Sequence, residues 1–444
     1  MNSEFLETLR RILDNSEKML YEYPLCNSCL GRFFAKYGMG LSNYERGQAI
    51  KTLLVIKLHE DHMRGLTSRE YVHRLALNAG EELASMYRKL YGEDLKPRSC
   101  FICGNKLTSN FLSEVAWKAC NILRNYDAGS FIVGVIVDKR LLERELEIMV
   151  KYGLESSESI KRELKREIGK TIAATCSAIP DFEKPDVVLM IKLRDDFNYD
   201  VKIQVNPLLY IGRYWKLGRN ISHIPWYTKN GSKEKKYPLS IQEAVEKIFK
   251  EVFNAEKVII HAAGREDVDA RMLGSGRPLV VEVKAPKRRK VELNELRSSV
   301  MRSLVNTPVV LHIDSQTTRS SAAFIKEYSK HKRKVYRLTV YVNGEFGEED
   351  LRKIEEYFAN REIVQRTPIR ILRRKKGRER RRKVYSVKTH RISSRIFEAL
   401  VYCDGGLYVK ELVHCDEGRT KPCFSEILAK KAVPIELDVL YVEE

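Results

Sequence analysis

Two short cysteine turns, Cys26-Asn27-Ser28-Cys29 and Cys100-Phe101-Ile102-Cys103, constrain this chain more than any other feature of its sequence. A two-residue gap lets both thiolates of a turn face one metal ion at about 2.3 Å, so two such turns can complete a tetrahedral four-cysteine site. Cys26, Cys29, Cys100 and Cys103 are therefore expected to hold a structural zinc. Four protein ligands leave no position open for chemistry, and the metal would pin together segments far apart in sequence. Cys120 and Cys176 show no such spacing and are expected in the core. The acidic, amphipathic start Met1-Asn2-Ser3-Glu4-Phe5 lacks the basic opening and apolar core of a secretion signal, so a cytoplasmic protein with reduced thiols is expected.

Charge narrows the partner. Eighty lysines and arginines against sixty acids leave a formal +20, a surface suited to a polyanion, and nucleic acid is the leading choice. Arg370, Arg373, Arg374, Lys375, Lys376, Arg378, Arg380, Arg381, Arg382 and Lys383 fall in one short run opposed by Glu379 alone. No apolar stretch approaches the roughly 20 residues of a membrane span, so no membrane partner is expected.

Periodicity divides the 444 residues into two regions. A helix is expected over 3–23, another over 68–90, a strand over 130–137, a charged helical stretch over 141–172, and strands over 185–193 and 201–210. A lysine- and glycine-containing linker over 228–236 closes an accessory domain, 1–238. The second domain, 239–444, opens on a capped helix at Ser240-Ile241-Gln242-Glu243. Strands follow at 257–261, 279–283, 309–313 and 335–342, then a helix over 348–361. Segments 369–372 and 384–387 would flank the basic run as a hairpin with an outward tip, and 436–440 closes the fold as an apolar strand. The fold class expected is mixed α/β, of the α+β kind.

Chemistry concentrates where the apolar Val258-Ile259-Ile260 gives way to Gly264-Arg265-Glu266-Asp267-Val268-Asp269. A strand end delivers carboxylates there, and Gly264 permits a sharp departure. An acid beside a fixed guanidinium stays ionised and can serve as nucleophile or base; a surface turn whose charges merely pair is the alternative.

The stretch from Ser130 to Tyr210, with its Lys184-Pro185-Asp186-Val187 before a strand, resembles a THUMP domain, an RNA-binding module of tRNA-modifying enzymes. That resemblance implies that Lys161, Arg162, Lys165 and Arg166 face the acceptor end of tRNA. Gly264 to Asp269, Lys334-Val335-Tyr336 and Gly406-Leu407-Tyr408-Val409-Lys410-Glu411-Leu412 together resemble the G-R-x-D turn, K-x-Y strand and G-x-Y-[IV]-[KR] strand of pseudouridine synthases. Joined to a zinc-containing THUMP half, they look like the archaeal and eukaryotic tRNA pseudouridine synthase family acting on T-loop uridines 54 and 55. The resemblance implies a catalytic domain with a mixed, mainly antiparallel sheet and helices. It also implies roles: Asp267 as the catalytic carboxylate, Tyr336 stacking on uracil and helping remove the C5 proton, Lys410 pairing with Asp267, Val409 and Leu437 around the base, and Arg265 on the flipped nucleotide or vacated loop.

Isomerising uridine breaks the N1–C1′ bond, turns the base and joins C5 to C1′ without redox change, so no organic cofactor is expected. The target must be flipped from its loop at a cost of a few kcal/mol. The expected partner is tRNA, its T arm at the catalytic domain, and the protein is expected to be a monomer. Cys415 and Cys423 stand where glycine and a small polar residue are expected in that family. Two other readings remain: a non-catalytic tRNA-binding or folding protein, and a THUMP-linked methyltransferase or thiolation enzyme. The last needs a glycine-rich loop between strand and helix, and Gly274-Ser275-Gly276 leads to Arg277-Pro278 and another strand instead.

Overall fold

The computed structural model describes residues 3–155, 157–228, 234–328, 332–372 and 377–443. The linker residues 229–233 and the basic residues Arg373, Arg374, Lys375 and Lys376 lie outside them. The chain forms two compact units, Met1–Asn206 and Pro207–Glu444.

In the first unit, helices Ser3–Glu22, Asn27–Arg32, Asn43–Met63, Arg69–Ala79, Glu81–Tyr91 and Ser109–Leu123 precede a four-stranded sheet. Its strands are β1 (Ser130–Val137), β2 (Ile179–Pro180), β3 (Val187–Leu193) and β4 (Tyr199–Val205), in the order β2-β1-β3-β4. β1 and β3 run parallel, as a crossover through helices Lys139–Lys151 and Ile160–Thr175 demands. The Asp186 carboxylate accepts from the amides of Gly129 and Ser130 at 2.8 and 3.2 Å, locking the starts of β1 and β3. The helical stretch expected over 141–172 is two helices, because Gly153 turns left-handed (φ 58°) and Ser159 caps a new one. Gly80 (φ 91°) likewise divides the helix expected over 68–90. Cys120 and Cys176 form a disulfide across helices Ser109–Leu123 and Ile160–Thr175, correcting the expectation of reduced thiols; helix packing, not spacing, brings them together.

The strand expected over 201–210 is two strands in different units. The division falls at Asn206 and Pro207, not after 238, because β5 (Leu208–Lys216) pairs along its length with strands of the second unit. That unit adds β6 (Lys257–Ala262), β7 (Arg271–Lys284), β8 (Val309–Thr317), β9 (Lys334–Val342), β10 (Arg361–Arg366), β11 (Glu379–Arg391), β12 (Ile396–Cys403), β13 (Thr420–Lys421) and β14 (Ala432–Val442). They form one sheet ordered β13-β10-β11-β12-β9-β14-β7-β5-β8, with β6 also on β7.

β7 decides where a site can form. One edge is taken along most of its length by β5, so β6 and β14 must share the other: β6 pairs with residues 279–284 and β14 with Arg271 and Met272. The connection 263–270 sits where these two partners diverge. Apolar clusters line the sheet, one including Val245, Phe249, Val281 and Val439, another including Leu338, Phe358, Val401 and Leu437, and Tyr336 packs against both.

Candidate active site

The connection after β6 turns at Gly264, whose φ of 79° places it in the left-handed region; its amide donates to Ala262 O at 2.9 Å. Two residues on, Glu266 points inward with its side chain 3% exposed. Arg277 donates to it at 2.9 Å and the Tyr214 hydroxyl at 2.9 Å, while Lys216 stands 3.7 Å away. Burial alone would raise the Glu266 pKa; Arg277 and Lys216 reverse that and keep it below the usual carboxylate value. Arg277 also donates to Ala263 O at 2.7 Å, and Lys216 Nζ to the carbonyls of Asp267 and Val268 at 3.0 and 3.1 Å. The loop backbone is thus held from beneath by buried cations, and Asp267, next in line, presents its carboxylate upward, 35% exposed.

Asp267 meets a guanidinium, but not the one its own turn suggests. Arg370 bonds its two oxygens at 3.1 Å each through two nitrogens, a forked pair. The third nitrogen, Nε, donates at 2.7 Å to Glu411, itself 1% exposed. Lys410 Nζ lies 3.5 Å from Asp267 and 2.6 Å from both oxygens of Asp269. Arg370 was expected near a strand leading to an outward tip; Ile369–Ile371 is instead a 3-10 turn that swings this arginine inward. The hairpin is built by β10, earlier in the chain than the expected first flank, and by β11, which contains the expected 384–387 and begins before it.

Lys410 was expected on a strand. It occupies the first turn of a short helix, Val409–His414, because Gly406 (φ 89°) breaks the extended run and buried Gln365 of β10 grips Tyr408 from both sides. The Gln365 amide donates to Tyr408 O at 2.9 Å and accepts from Tyr408 N at 2.8 Å. Beyond the helix Cys415 and Cys423 form a disulfide, a second departure from reduced thiols; Cys403 stays free and buried.

Asp267, Arg265, Tyr336, Arg370, Val409, Lys410 and Leu437 line one cavity of about 250 Å³. Tyr336 projects from β9 between Val401 and Val439, and burial raises its phenol pKa, so it meets a ligand as a neutral hydroxyl. Val409 and Leu437 are 5% and 7% exposed and supply an apolar wall. The arrangement is an acid held by two cations at the rim of a small, partly apolar hollow. Sequence reading assigns no site role to Arg370, Glu266, Arg277, Lys216 or Gln365. There Arg370 is only one of a basic run, Glu266 only an acid of the turn, and Arg277 only the arginine after Gly274-Ser275-Gly276.

In the first unit, the Sγ atoms of Cys26, Cys29, Cys100 and Cys103 lie within 4.8 Å of one another, and Cys26 and Cys103 are 3.5 Å apart. Ligands at about 2.3 Å in a tetrahedron stand roughly 3.8 Å apart, so this cluster could hold a metal ion. Buried Lys51, its Nζ on Leu25 O at 2.8 Å, adds positive charge nearby. Of the four cations expected on helix Ile160–Thr175, Arg162, Lys165 and Arg166 line a groove of about 960 Å³ with Lys36 and Arg46, while Lys161 is exposed and not part of its lining. Arg166 is already paired with Glu158 at 2.8 Å. No helix among the described residues is long and apolar enough to cross a membrane.

A family model described as Pus10, C-terminal matches residues 210–443, and one described as Pus10 THUMP domain, archaeal matches 115–192. A protein of Thermosphaera aggregans named tRNA pseudouridine synthase Pus10 is 48% identical over 433 residues, spanning 98% of this chain and 97% of that protein. Its namesake in Ignisphaera aggregans is 41% identical over 435 residues, spanning 98% and 99%. A solved Cbf5-Nop10-Gar1 complex shares 18% identity, covering 51% of this chain and 49% of that one at a TM-score of 0.29.

Proposed function

The chain belongs to the Pus10 family, and from that membership we propose that it is a tRNA pseudouridine synthase, an isomerase that converts T-loop uridine 55, and with it uridine 54, to pseudouridine. The observation that carries the reading is Asp267, an acid gripped by Arg370 and flanked by Lys410 at the rim of a cavity lined by Tyr336, Val409 and Leu437. The flipped uridine enters this cavity, its ring against Tyr336 and the apolar wall, with C1′ near Asp267. Two cations beside the carboxylate, Arg370 and Lys410, hold it aimed at that carbon. It either attacks C1′ or takes part in forming a glycal. Tyr336, being neutral, orients the base and passes the C5 proton along rather than acting as a phenolate. Arg265 at the mouth holds the displaced nucleotide's backbone.

The four-cysteine cluster is the place of a structural zinc, which would supply no step of the reaction; the donor set suits that metal. The groove bearing Arg162 and Lys165 receives the acceptor end of tRNA, while the T arm lies at the cavity. The protein acts as a cytoplasmic monomer without organic cofactor. The test is incubation with an unmodified tRNA transcript followed by mapping of pseudouridine through carbodiimide-induced stops. Wild type should mark the T loop, and Asp267→Asn should bind the tRNA equally and leave it unmarked. A T loop unmarked by wild type would instead favour a binding or folding protein.

A further inference from the structure

The inner end of the cavity holds more positive charge than its acids balance. Glu266 is taken by Arg277 at 2.9 Å, with Lys216 behind it. Beside them Lys334, the first residue of β9, is 7% exposed and lines the same cavity. It stands two positions before Tyr336, so both side chains emerge on one face of the strand. A Cβ placed on Gly264 would lie 3.4 Å from Arg277 Nη1 and 3.7 Å from Lys334 Nζ, which locates the amine against the loop that bears Asp267. Among the described residues, neither a side-chain hydrogen bond nor an ion pair ties Lys334 Nζ to a protein acceptor. Across the ladder it faces Cys403, whose thiol burial keeps protonated. The other charged groups around it are Arg265, Asp267, Arg370, Arg380 and Lys410 of the cavity wall. The ammonium is only slightly open, through the cavity, and an anion arriving there would offset its desolvation.

The reaction proposed above generates such an anion. As the N1–C1′ bond breaks, its electron pair leaves with the base, giving a uracil anion with charge spread over N1 and the two carbonyl oxygens. We propose that Lys334 is a catalytic residue of that step: its Nζ donates a hydrogen bond to a carbonyl oxygen of the detached uracil and stabilises the charge until C5 bonds to C1′. No proton moves to or from Lys334; the C5 proton departs, N1 gains one, and the product is an isomer of the substrate. This rests on the isomerase reading. Burial and Arg277 lower the Lys334 pKa to about 8, so the amine is largely charged at neutral pH and loses its proton in a range open to experiment.

The experiment is single-turnover isomerisation of unmodified tRNA between about pH 6 and 9.5 by wild type, Lys334→Met and Lys334→Gln, with tRNA Kd and thermal midpoint measured alongside. Removing one preorganised donor to a developing anion costs roughly 100-fold in rate. Lys334→Met should show that loss with Kd and thermal midpoint held, and Lys334→Gln, which keeps a neutral donor, should fall between. The wild-type rate should decline above about pH 8 as the ammonium is lost, and the Met variant should lack that decline. Wild-type speed and pH profile in the Met variant would overturn the proposal, as would parallel loss of rate, binding and midpoint in both variants. Should neither variant fold, a wild-type rate that stays level through pH 8 overturns it. A wild type that forms no pseudouridine overturns the isomerase reading itself and this inference with it.

Discussion

Glu266 and Asp267 are neighbouring acids with opposite surroundings, and the difference explains why one was legible and the other was not. Asp267 stands in a glycine-led turn after an apolar strand, a pattern that advertises a displayed carboxylate. Glu266 became an anchor only because Arg277, Tyr214 and Lys216 arrive from β7 and β5, which spacing cannot reveal. Arg370 was hidden differently, as one arginine in a run of near-identical ones; the 3-10 turn at Ile369–Ile371 singles it out. Arg370→Ala leaves Glu411 buried and unpaired, so stability should fall by roughly 3 kcal/mol in urea titration, along with activity. Adding Glu411→Gln should return much of the stability and none of the activity, because Asp267 still lacks its fork.

At the scale of elements, the strands at β1, β3, β6, β9 and β14 were legible from their apolar runs. β10, β12 and the true ends of β7 were not: β12 alternates buried and open positions in the fold, but its sequence Ile396-Phe397-Glu398-Ala399-Leu400-Val401-Tyr402-Cys403 is apolar on both faces and hides the period. The pairing of β7 with β14 rests on two features. Gly274 lies so close to β14 that an added Cβ would stand 1.9 Å from Leu440 O, so Gly274→Ala should cost at least about 2 kcal/mol and disturb the cavity. Asp438 of β14 ties three strands together through Arg271 and Arg337, at 2.7 and 2.8 Å, with Arg219 at 2.9 Å. Burial alone would raise its pKa, and these arginines bring it down to about 2. Because the folded value is depressed, the stability it confers is complete above the ordinary aspartate range and lost as pH falls through about 2. Asp438→Asn should be less stable at pH 7 by roughly 3 kcal/mol and should show a shallower acid limb in denaturant titrations from pH 5 to 2.

For the molecule as a whole, the four-cysteine site was the most legible feature, since its two-residue spacing is a geometric statement in itself. The disulfides were not, as each joins residues that only folding brings near. Elemental analysis should find one zinc per chain, and Cys103→Ser should lower both metal content and folded yield; unchanged zinc would remove the site. With +20 net charge, tRNA affinity should drop steeply with salt, by about 10³-fold between 50 and 200 mM if six phosphates are neutralised. One placement reaches further than the rest. β14, last in chain order of the strands among the described residues, sits between β7 and β9 in the middle of the sheet. A partly folded chain without it would present two raw edges, each a template for another molecule's strand. Refolding yield should therefore depend on dilution, and a short peptide copying residues 432–442 should compete for the gap and trap an inert intermediate.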